Sequence, residues 1–309
     1  MRATDLGRKG PQAGAGSTMS LTRRRFISIA AASAALPGSA HAHSWQGHAF
    51  GAQVSLTLRG SKEQAARALK EARGLILQME HLFSLYDPAS ALVELNKTAI
   101  LRKPDAHFLA LMQASDLAYT QTRGLFDPTV QPLWMAHASG QDPSKGYRAV
   151  GWDRVRFAPE QITLDTDQAL TFNGIAQGYA TDVVTNALAA RGFTGALVNI
   201  GELRGMGGLW TIGIKDPVHG ILGTRQLNNE AIATSSPAAT SIGEQGHILH
   251  PNARPKWSSV SVQAPSATMA DSISTAMVLA DRPHIEQIKM QTGISHVILI
   301  DFDGNLSSL

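Results

Sequence analysis

Asp271 and Thr275 are the residues whose types and spacing most directly suggest chemistry. They lie four positions apart, just after the alternating, strand-like segment Val260 to Ala264. In a helix this spacing places both side chains on one face. A carboxylate and a hydroxyl beside the electropositive first turn are hard oxygen donors, which suit Mg²⁺ shared with a phosphate and do not suit zinc. An Asp near a helix start also serves as a cap, so the pair needs support from other segments.

Gly174 and Gly178 mark a second segment at a predicted junction between a strand and a helix. Glycines there let backbone N–H groups approach an anionic ligand closely, although they serve helix packing equally well. The spacing matches neither Gly-x-Gly-x-x-Gly nor a Gly-Lys-Ser/Thr loop. The sequence therefore excludes the usual nicotinamide and P-loop fingerprints.

The first 42 residues read as an export signal. Arg23 to Arg25 form a charged region, residues 27–36 form an apolar run too short to span a bilayer, and Ala40-His41-Ala42 fits a cleavage site. The order Thr-Arg-Arg-x-Phe resembles the twin-arginine (Tat) signal. A basic nucleic-acid or nuclear-type patch would need the charge to continue, and it does not. We therefore expect cleavage after Ala42 and a periplasmic protein.

The charge balance changes once this signal is removed. Residues 1–42 hold six of the 27 Lys and Arg residues and one of the 24 Asp and Glu residues, which leaves 21 bases against 23 acids. No basic patch then argues for nucleic acid. With no cysteine the chain has no disulfide, no thiolate site and no lipid-anchoring cysteine. We expect residues 43–309 to be a soluble unit, either one large domain or two fused lobes.

Strands and helices are predicted in a mixed order, which indicates an α+β fold with mixed sheets and packed helices. Ser61 and Ser90 stand where helix caps are expected. The predicted helices follow Ser61, run over 90–96 and 107–122, follow Gly174, and run over 268–279 and 284–291. The predicted strands cover 49–58, a hairpin of 162–164 with 169–172, then 196–200, 210–214, 225–227, 231–234, 260–264 and 295–300.

Seven segments, in order, resemble one family, the ApbE-type FAD:protein FMN transferases. Each segment is short, but the resemblance covers nearly the whole chain after the signal, roughly residues 53–300. They are Phe83 to Asn96, Gly124 to Thr129, Gly174 to Asp182, Val198 to Gly201, Ala233 to Ser235, His247 to Pro251, and Ala270 to Ala276.

The resemblance implies an ApbE-like flavin transferase fold and a reaction. A Ser or Thr hydroxyl of an acceptor protein attacks FAD, AMP leaves, and FMN stays bound through a phosphoester. It implies Mg²⁺ ligated by the side chains of Asp271 and Thr275 and by the carbonyl of Gly174. It further implies that flavin or nucleotide contacts come from Tyr86, Leu125, Phe126, Asp127, Thr171, Gln177 and Ile248.

His247 is the candidate general base, since imidazole titrates near neutral pH. Asp271 could share this role if metal binding leaves one of its oxygens available. A lone histidine is also a common structural residue, so the sequence does not fix which group accepts the proton.

Several positions depart from the usual family pattern. Thr171 and Gln177 stand where an Asp and a Lys are usual, a change that keeps local charge balanced. Glu202 follows Gly201 where the pattern reads Gly-Gly-Asp, and His250 replaces an Asp before Pro251. The Asn-Gly-Ile-Ala-Gln-Gly form with a Tat signal resembles the NosX-like branch, associated with nitrous oxide reductase maturation. An acceptor in that pathway, possessing a target Thr or Ser, is therefore expected.

Two other functions fit the same residues. A non-catalytic accessory protein would hold or deliver FAD, which the changes at Thr171 and Gln177 favour and the retained Asp271 and Thr275 oppose. An FAD pyrophosphatase would use water as the nucleophile and release FMN and AMP. A dinuclear metal site would favour it, but the matched motifs show no second acidic cluster. The sequence identifies neither the acceptor, the oligomeric state nor the source of periplasmic FAD.

Overall fold

The computed structural model describes residues 42–242 and 245–309. The predicted signal peptide lies outside these residues, except for its last position, Ala42, which begins the first strand. Among the described residues, no helix combines the length and apolar character that crossing a membrane requires.

Eight α-helices occur in the described part of the chain. In order they are α1 (Lys62–Phe83), α2 (Ala91–Thr98), α3 (Ala106–Gln121), α4 (Gln131–Ser139), α5 (Ser144–Ala149), α6 (Ala176–Ala190), α7 (Ala267–Met277) and α8 (Arg282–Thr292).

Fifteen strands occur in the same residues. They are β1 (Ala42–Ala49), β2 (Ala52–Arg59), β3 (Ile100–Arg102), β4 (Arg156–Phe157), β5 (Gln161–Thr163), β6 (Ala196–Asn199), β7 (Leu203–Met206), β8 (Leu209–Asp216), β9 (Gly220–Asn228), β10 (Ala231–Ser235), β11 (Ser241–Ile242), β12 (Gln245–Gly246), β13 (Ser259–Ala264), β14 (His296–Ile300) and β15 (Leu306–Ser308).

The main sheet has eight strands in the order β1-β2-β6-β7-β10-β13-β14-β15, and every neighbouring pair is antiparallel. Strands β3, β5 and β4 form a small separate sheet, and β8 with β9 forms a long hairpin. The mixture of helices with antiparallel sheets confirms the predicted α+β class.

Both faces of the main sheet are covered, because side chains alternate along each strand. On β14, Val297 and Leu299 join the core beneath α7 and α8, whereas Ile298 and Ile300 join the core beneath the β8–β9 hairpin. Helices α1 and α6 cover the β2 and β6 end of the first face. The helix that bears Asp271, α7, packs on β10 and β13 inside this sheet.

Helix starts follow the capping signals in the sequence. Ser61 accepts a hydrogen bond from the Gln64 N–H and Ser90 accepts one from the Val93 N–H, as their positions predicted. The helices predicted over 107–122 and 268–279 are α3 and α7, with ends shifted by one or two residues.

The predicted hairpin of 162–164 with 169–172 is wrong. Strand β5 pairs instead with β3 and β4, and residues 169–172 form no strand. The amide of Asn96 satisfies both backbone groups of Leu170, at 2.9 Å to its carbonyl and 2.7 Å from its N–H. The Thr171 N–H donates to the Pro128 carbonyl at 2.9 Å. These contacts take the place of a strand partner.

Candidate functional site

A cleft opens beside the main sheet, between helices α6 and α7 and the loops around residues 125–130 and 234–249. It encloses about 1130 Å³ of space, its open mouth included. Most of the predicted site residues lie in its walls: Leu125, Phe126, Asp127, Thr171, Gly174, Gln177, His247, Ile248, Asp271 and Thr275. Residues from separate segments of the chain thus converge on one cleft.

Asp271 is a buried carboxylate in the wall of this cleft, with 4% of its surface exposed. Its Oδ2 accepts a hydrogen bond from the Gly178 N–H at 3.0 Å. Burial raises the pKa of Asp271 to about 7; the Gly178 hydrogen bond opposes this rise, and the charge of Asp182 adds to it. Without a cation, the ionised form of this buried carboxylate is energetically unfavourable. A bound cation would stabilise the ionised form, so this environment is suited to a metal ligand.

Thr275 lies one helical turn after Asp271 and within reach of two other elements. Its Oγ1 is 3.1 Å from the hydroxyl of Ser235 on β10, which also hydrogen-bonds Ser274 at 2.8 Å. A Cβ atom on Gly174 would stand 2.8 Å from Thr275 Oγ1. The backbone of Gly174 can approach the hydroxyl this closely only because it has no side chain.

This donor set fits a magnesium ion. Asp271, Thr275 and Gly174 offer carboxylate, hydroxyl and carbonyl oxygens, the ligand type that Mg²⁺ prefers. In the described residues no three His, Cys, Asp or Glu side chains come together as a metal-binding group. Mg²⁺ normally keeps waters and substrate phosphates among its six ligands, so a site with one carboxylate is adequate for an ion shared with a diphosphate.

Glu202 is a cleft residue that the sequence analysis did not assign to the site. It is buried, and its Oε2 accepts from the Thr234 N–H at 3.3 Å. Burial, and then the charge of Asp271, raises the pKa of Glu202 well above its usual range. The two residues make an acidic pair. The signal that could have pointed to Glu202 was an acidic side chain directly after Gly201, in the segment where the family pattern reads Gly-Gly-Asp.

His247 lines the cleft with one ring nitrogen already engaged. Its Nδ1 lies 3.1 Å from the Pro237 carbonyl and 3.3 Å from the Thr240 carbonyl. Carbonyl oxygens only accept hydrogen bonds, so Nδ1 must bear the proton in the neutral ring. The lone pair is then on Nε2, as a general base requires.

A known protein family shares the sequence pattern of this cleft. The ApbE family model matches residues 50–298, which is most of the chain and includes every residue of the cleft. The chain belongs to the ApbE family. Among curated proteins, none matches the sequence.

Solved ApbE structures have the same fold as this family member. The apo flavinyl transferase ApbE of Pseudomonas stutzeri is 22% identical, with a TM-score of 0.76 over 87% of this chain and 94% of that one. The flavin transferase ApbE of Vibrio cholerae is 20% identical, with a TM-score of 0.73 over 87% and 97%. The ApbE protein of Thermotoga maritima is 22% identical, with a TM-score of 0.76 over 86% and 96%.

Thr171 and Gln177 are cleft residues that, like Glu202, distinguish this ApbE family member from the usual pattern. Gln177 is 6% exposed, and its Nε2 is buried with no hydrogen-bond partner among the described residues. Gly201, at φ +93°, packs directly against this amide. Both residues line the cleft, and their contact with flavin remains a prediction.

The segment Leu125 to Asp127 also lines the cleft, but its groups have structural partners. Phe126 packs in the core and its N–H donates to Thr122 Oγ1 at 3.0 Å. Asp127 Oδ1 accepts from the Thr129 N–H at 2.8 Å, which caps the short 3₁₀ turn that follows. His250 donates to the Gly124 carbonyl at 3.2 Å and so ties this segment to the loop of His247. Nucleotide contact by this segment remains a prediction.

Tyr86 is the one predicted site residue that does not line the cleft. It is 61% exposed, on the loop after α1. Ser84 Oγ accepts hydrogen bonds from the N–H groups of Tyr86 and Asp87, at 3.0 and 3.1 Å, which fixes the loop backbone. The contact of Tyr86 with flavin remains a prediction.

Proposed function

We propose that this chain transfers FMN from FAD to a Ser or Thr hydroxyl of an acceptor protein and releases AMP. The observation that supports it is the convergence of Asp271, Thr275 and Gly174 in the same cleft that His247 lines. Family membership and the names of the similar structures, which are flavin transferases, agree with it.

Asp271, Thr275 and the carbonyl of Gly174 would hold Mg²⁺ in this proposal. When bound, the ion would offset negative charge on the diphosphate as AMP departs. Thr275 is oriented by Ser235 and Asp271 by the Gly178 N–H, so both groups are set before substrate arrives.

His247 would accept the proton of the attacking hydroxyl. The hydroxyl oxygen forms a bond to the FMN-side phosphorus, and the bond between that phosphorus and the bridging oxygen breaks, with its electrons going to AMP. Nδ1 is engaged with two carbonyls, so the proton would go to Nε2. It then passes to the departing AMP or to solvent.

The site of this reaction would be the periplasm. The residues that support export, Arg23 to Arg25 and Ala40 to Ala42, are sequence features only. The Asn173-Gly174-Ile175-Ala176-Gln177-Gly178 form supports, by resemblance, an acceptor in nitrous oxide reductase maturation. Replacing Arg23 and Arg24 with lysines and locating the precursor by cell fractionation would test Tat-dependent export.

The test is an incubation of residues 43–309 with FAD, Mg²⁺ and a candidate acceptor domain. Intact-mass analysis of the acceptor and chromatography of the nucleotides give the result. A mass gain of one FMN with matching AMP release supports the transferase. Free FMN and AMP with an unmodified acceptor would instead indicate a pyrophosphatase, and bound FAD without products would indicate an accessory protein.

The variant Asp271→Ala tests the assignment of Asp271 as a metal ligand. It removes the charged ligand from the interior of α7, where alanine is the best helix former, so the fold should persist. We expect no Mg²⁺-dependent turnover in this variant. Undiminished activity would refute the metal assignment.

A further inference from the structure

Helices α6 and α7 are joined by two reciprocal hydrogen bonds. The Gly178 N–H of α6 donates to Asp271 Oδ2 of α7 at 3.0 Å, and the Ala267 N–H of α7 donates to Asp182 Oδ1 of α6 at 2.9 Å. Gly178 and Asp182 are four residues apart, as are Ala267 and Asp271, so both bonds join the facing sides of the two helices. One carboxylate of this pair is the proposed metal ligand and the other lies one turn away.

Asp182 makes further contacts with the start of α7. Its Oδ2 accepts from the Thr268 N–H at 2.8 Å and from the Thr268 hydroxyl at 2.5 Å. Its Oδ1 also accepts from Arg204 Nη1 at 2.7 Å, in a largely buried ion pair. The first N–H groups of a helix have no partner inside it, and a carboxylate there is favourable electrostatically. Asp182 thus anchors α7 at its first turn from a neighbouring helix.

Helices α6 and α7 pack in direct contact at Gly178, which leaves little room for α7 to shift. A Cβ atom on Gly178 would stand 2.3 Å from the Ala267 carbonyl oxygen and 2.8 Å from Asp271 Cβ. A small slide of α7 along α6 would therefore break the hydrogen bond from the Gly178 N–H to Asp271 and displace Asp271 and Thr275 together. Ser266 caps the same helix end through the Met269 N–H at 3.2 Å, but it belongs to α7 itself and does not fix α7 to α6 in this way.

We propose that Asp182 is a positioning residue for the metal site. By holding the first turn of α7 against α6, it keeps Asp271 Oδ2 on the Gly178 N–H and directs the face that bears Asp271 and Thr275 into the cleft. Arg204 places the opposite charge beside this carboxylate, at 2.7 Å, where both side chains are largely buried. This inference rests on the proposed function, because the cation bound at Asp271 is part of that function.

The test compares two variants that remove capping groups from the same helix end. Asp182→Asn keeps the shape of the side chain but loses its charge and part of its acceptor capacity. Ser266→Ala removes the cap that does not reach α6. Both variants lose a helix cap, so both are expected to lower the melting temperature. The affinity of the purified chain for Mn²⁺ alone, as a probe for the Mg²⁺ site, is measured by electron paramagnetic resonance.

We expect Asp182→Asn to weaken Mn²⁺ binding by about 10-fold to 100-fold, as is typical for the loss of a group that orients a ligand. Ser266→Ala should change it less than about twofold by comparison, since Asp271 stays in place. Equal weakening in both variants, or none in Asp182→Asn, would overturn the inference. If the wild-type chain bound no Mn²⁺, this result would contradict the proposed metal site itself, and the inference about Asp182 would then have no basis.

Hydrogen exchange gives a second readout that needs no metal and no activity. The Gly178 N–H should exchange faster in Asp182→Asn and at the wild-type rate in Ser266→Ala. If Asp182→Asn does not fold, Thr268→Val removes only the hydroxyl that donates to Asp182 and should act in the same direction to a smaller extent. Unchanged exchange of the Gly178 N–H in every folded Asp182 or Thr268 variant would contradict the positioning role.

Discussion

Gly201 lies so close to Gln177 that a Cβ atom there would stand 2.4 Å from Nε2 of the glutamine. Gly201 also has φ +93°, a backbone conformation that side chains rarely tolerate. Gln177, one of the cleft residues that depart from the family pattern, is therefore packed against a glycine, and its position in the cleft depends on that glycine.

Replacing Gly201 with alanine should lower the free energy of unfolding by about 2–5 kcal/mol, because the strained φ and the clash with Gln177 add together. Urea denaturation measures this change in the free energy of unfolding. Gly192→Ala is the matched control, since Gly192 has φ +81° and open space within 4 Å of the place where a Cβ atom would lie. Gly192→Ala should lower the free energy of unfolding by only about 1–2 kcal/mol. Equal losses would show that Gln177 does not resist the added carbon.

Gly178→Ala should damage both stability and metal affinity, because the new methyl group would meet the Ala267 carbonyl and Asp271. Overpacking of this kind costs about 1–3 kcal/mol, and the displaced Asp271 should bind Mn²⁺ at least about 10-fold more weakly. Thermal unfolding and Mn²⁺ titration are the measurements.

Gly74→Ala in α1 is the control for this helix substitution. Gly74 has open space around its Cβ position, so alanine there should stabilise the protein by about 0.5–1 kcal/mol. A Gly178→Ala variant as stable as wild type, with normal Mn²⁺ binding, would mean that α6 and α7 can separate without consequence for the site.

The local features of this fold could be predicted from sequence. Ser61 and Ser90 predicted helix starts correctly, because a cap acts on N–H groups only two or three residues away. Asp271 and Thr275 share a helix face for an equally local reason. The wrong strand at 169–172 had no such local signal against it, since Asn96, which binds Leu170, is 74 residues away.

The pairing of Glu202 with Asp271 could not be predicted either, because these two residues are also far apart in the sequence. Glu202 meets Asp271 only because β7 lies beside β10 and α7 packs over β10 and β13. Nothing near Glu202 in the sequence encodes that juxtaposition. The predicted contacts of Tyr86 came from resemblance alone, and its exposed position outside the cleft leaves them as predictions.

Stability should depend on pH through the acidic pair. The folded protein holds the pKa of Asp271 at about 7, above its ordinary 3.8, so between these values the folded state binds more protons than the unfolded state. The free energy of unfolding without metal should therefore fall as pH rises from about 4 to about 7, and the raised pKa of Glu202 acts in the same direction.

Metal should reverse this trend, because it binds the ionised carboxylate. We expect Mg²⁺ to raise the melting temperature more at pH 8 than at pH 5. Asp271→Asn should lose most of the Mg²⁺ effect and show a shallower decline with pH. Melting curves at several pH values, with Mg²⁺ and with a chelator, would measure both. A metal effect that is equal at pH 5 and pH 8 would contradict the assignment of Asp271.

His247→Gln should slow flavin transfer by roughly 100-fold to 10,000-fold, the usual contribution of a general base. Glutamine can still donate to the Pro237 and Thr240 carbonyls through its amide, so FAD binding should change little. Single-turnover AMP release and FAD titration separate the two effects. His250→Gln is the control, because His250 contacts the Gly124 carbonyl and does not line the cleft. Equal losses of rate in the two variants would assign His247 a structural role and leave Asp271 or Glu202 to accept the proton.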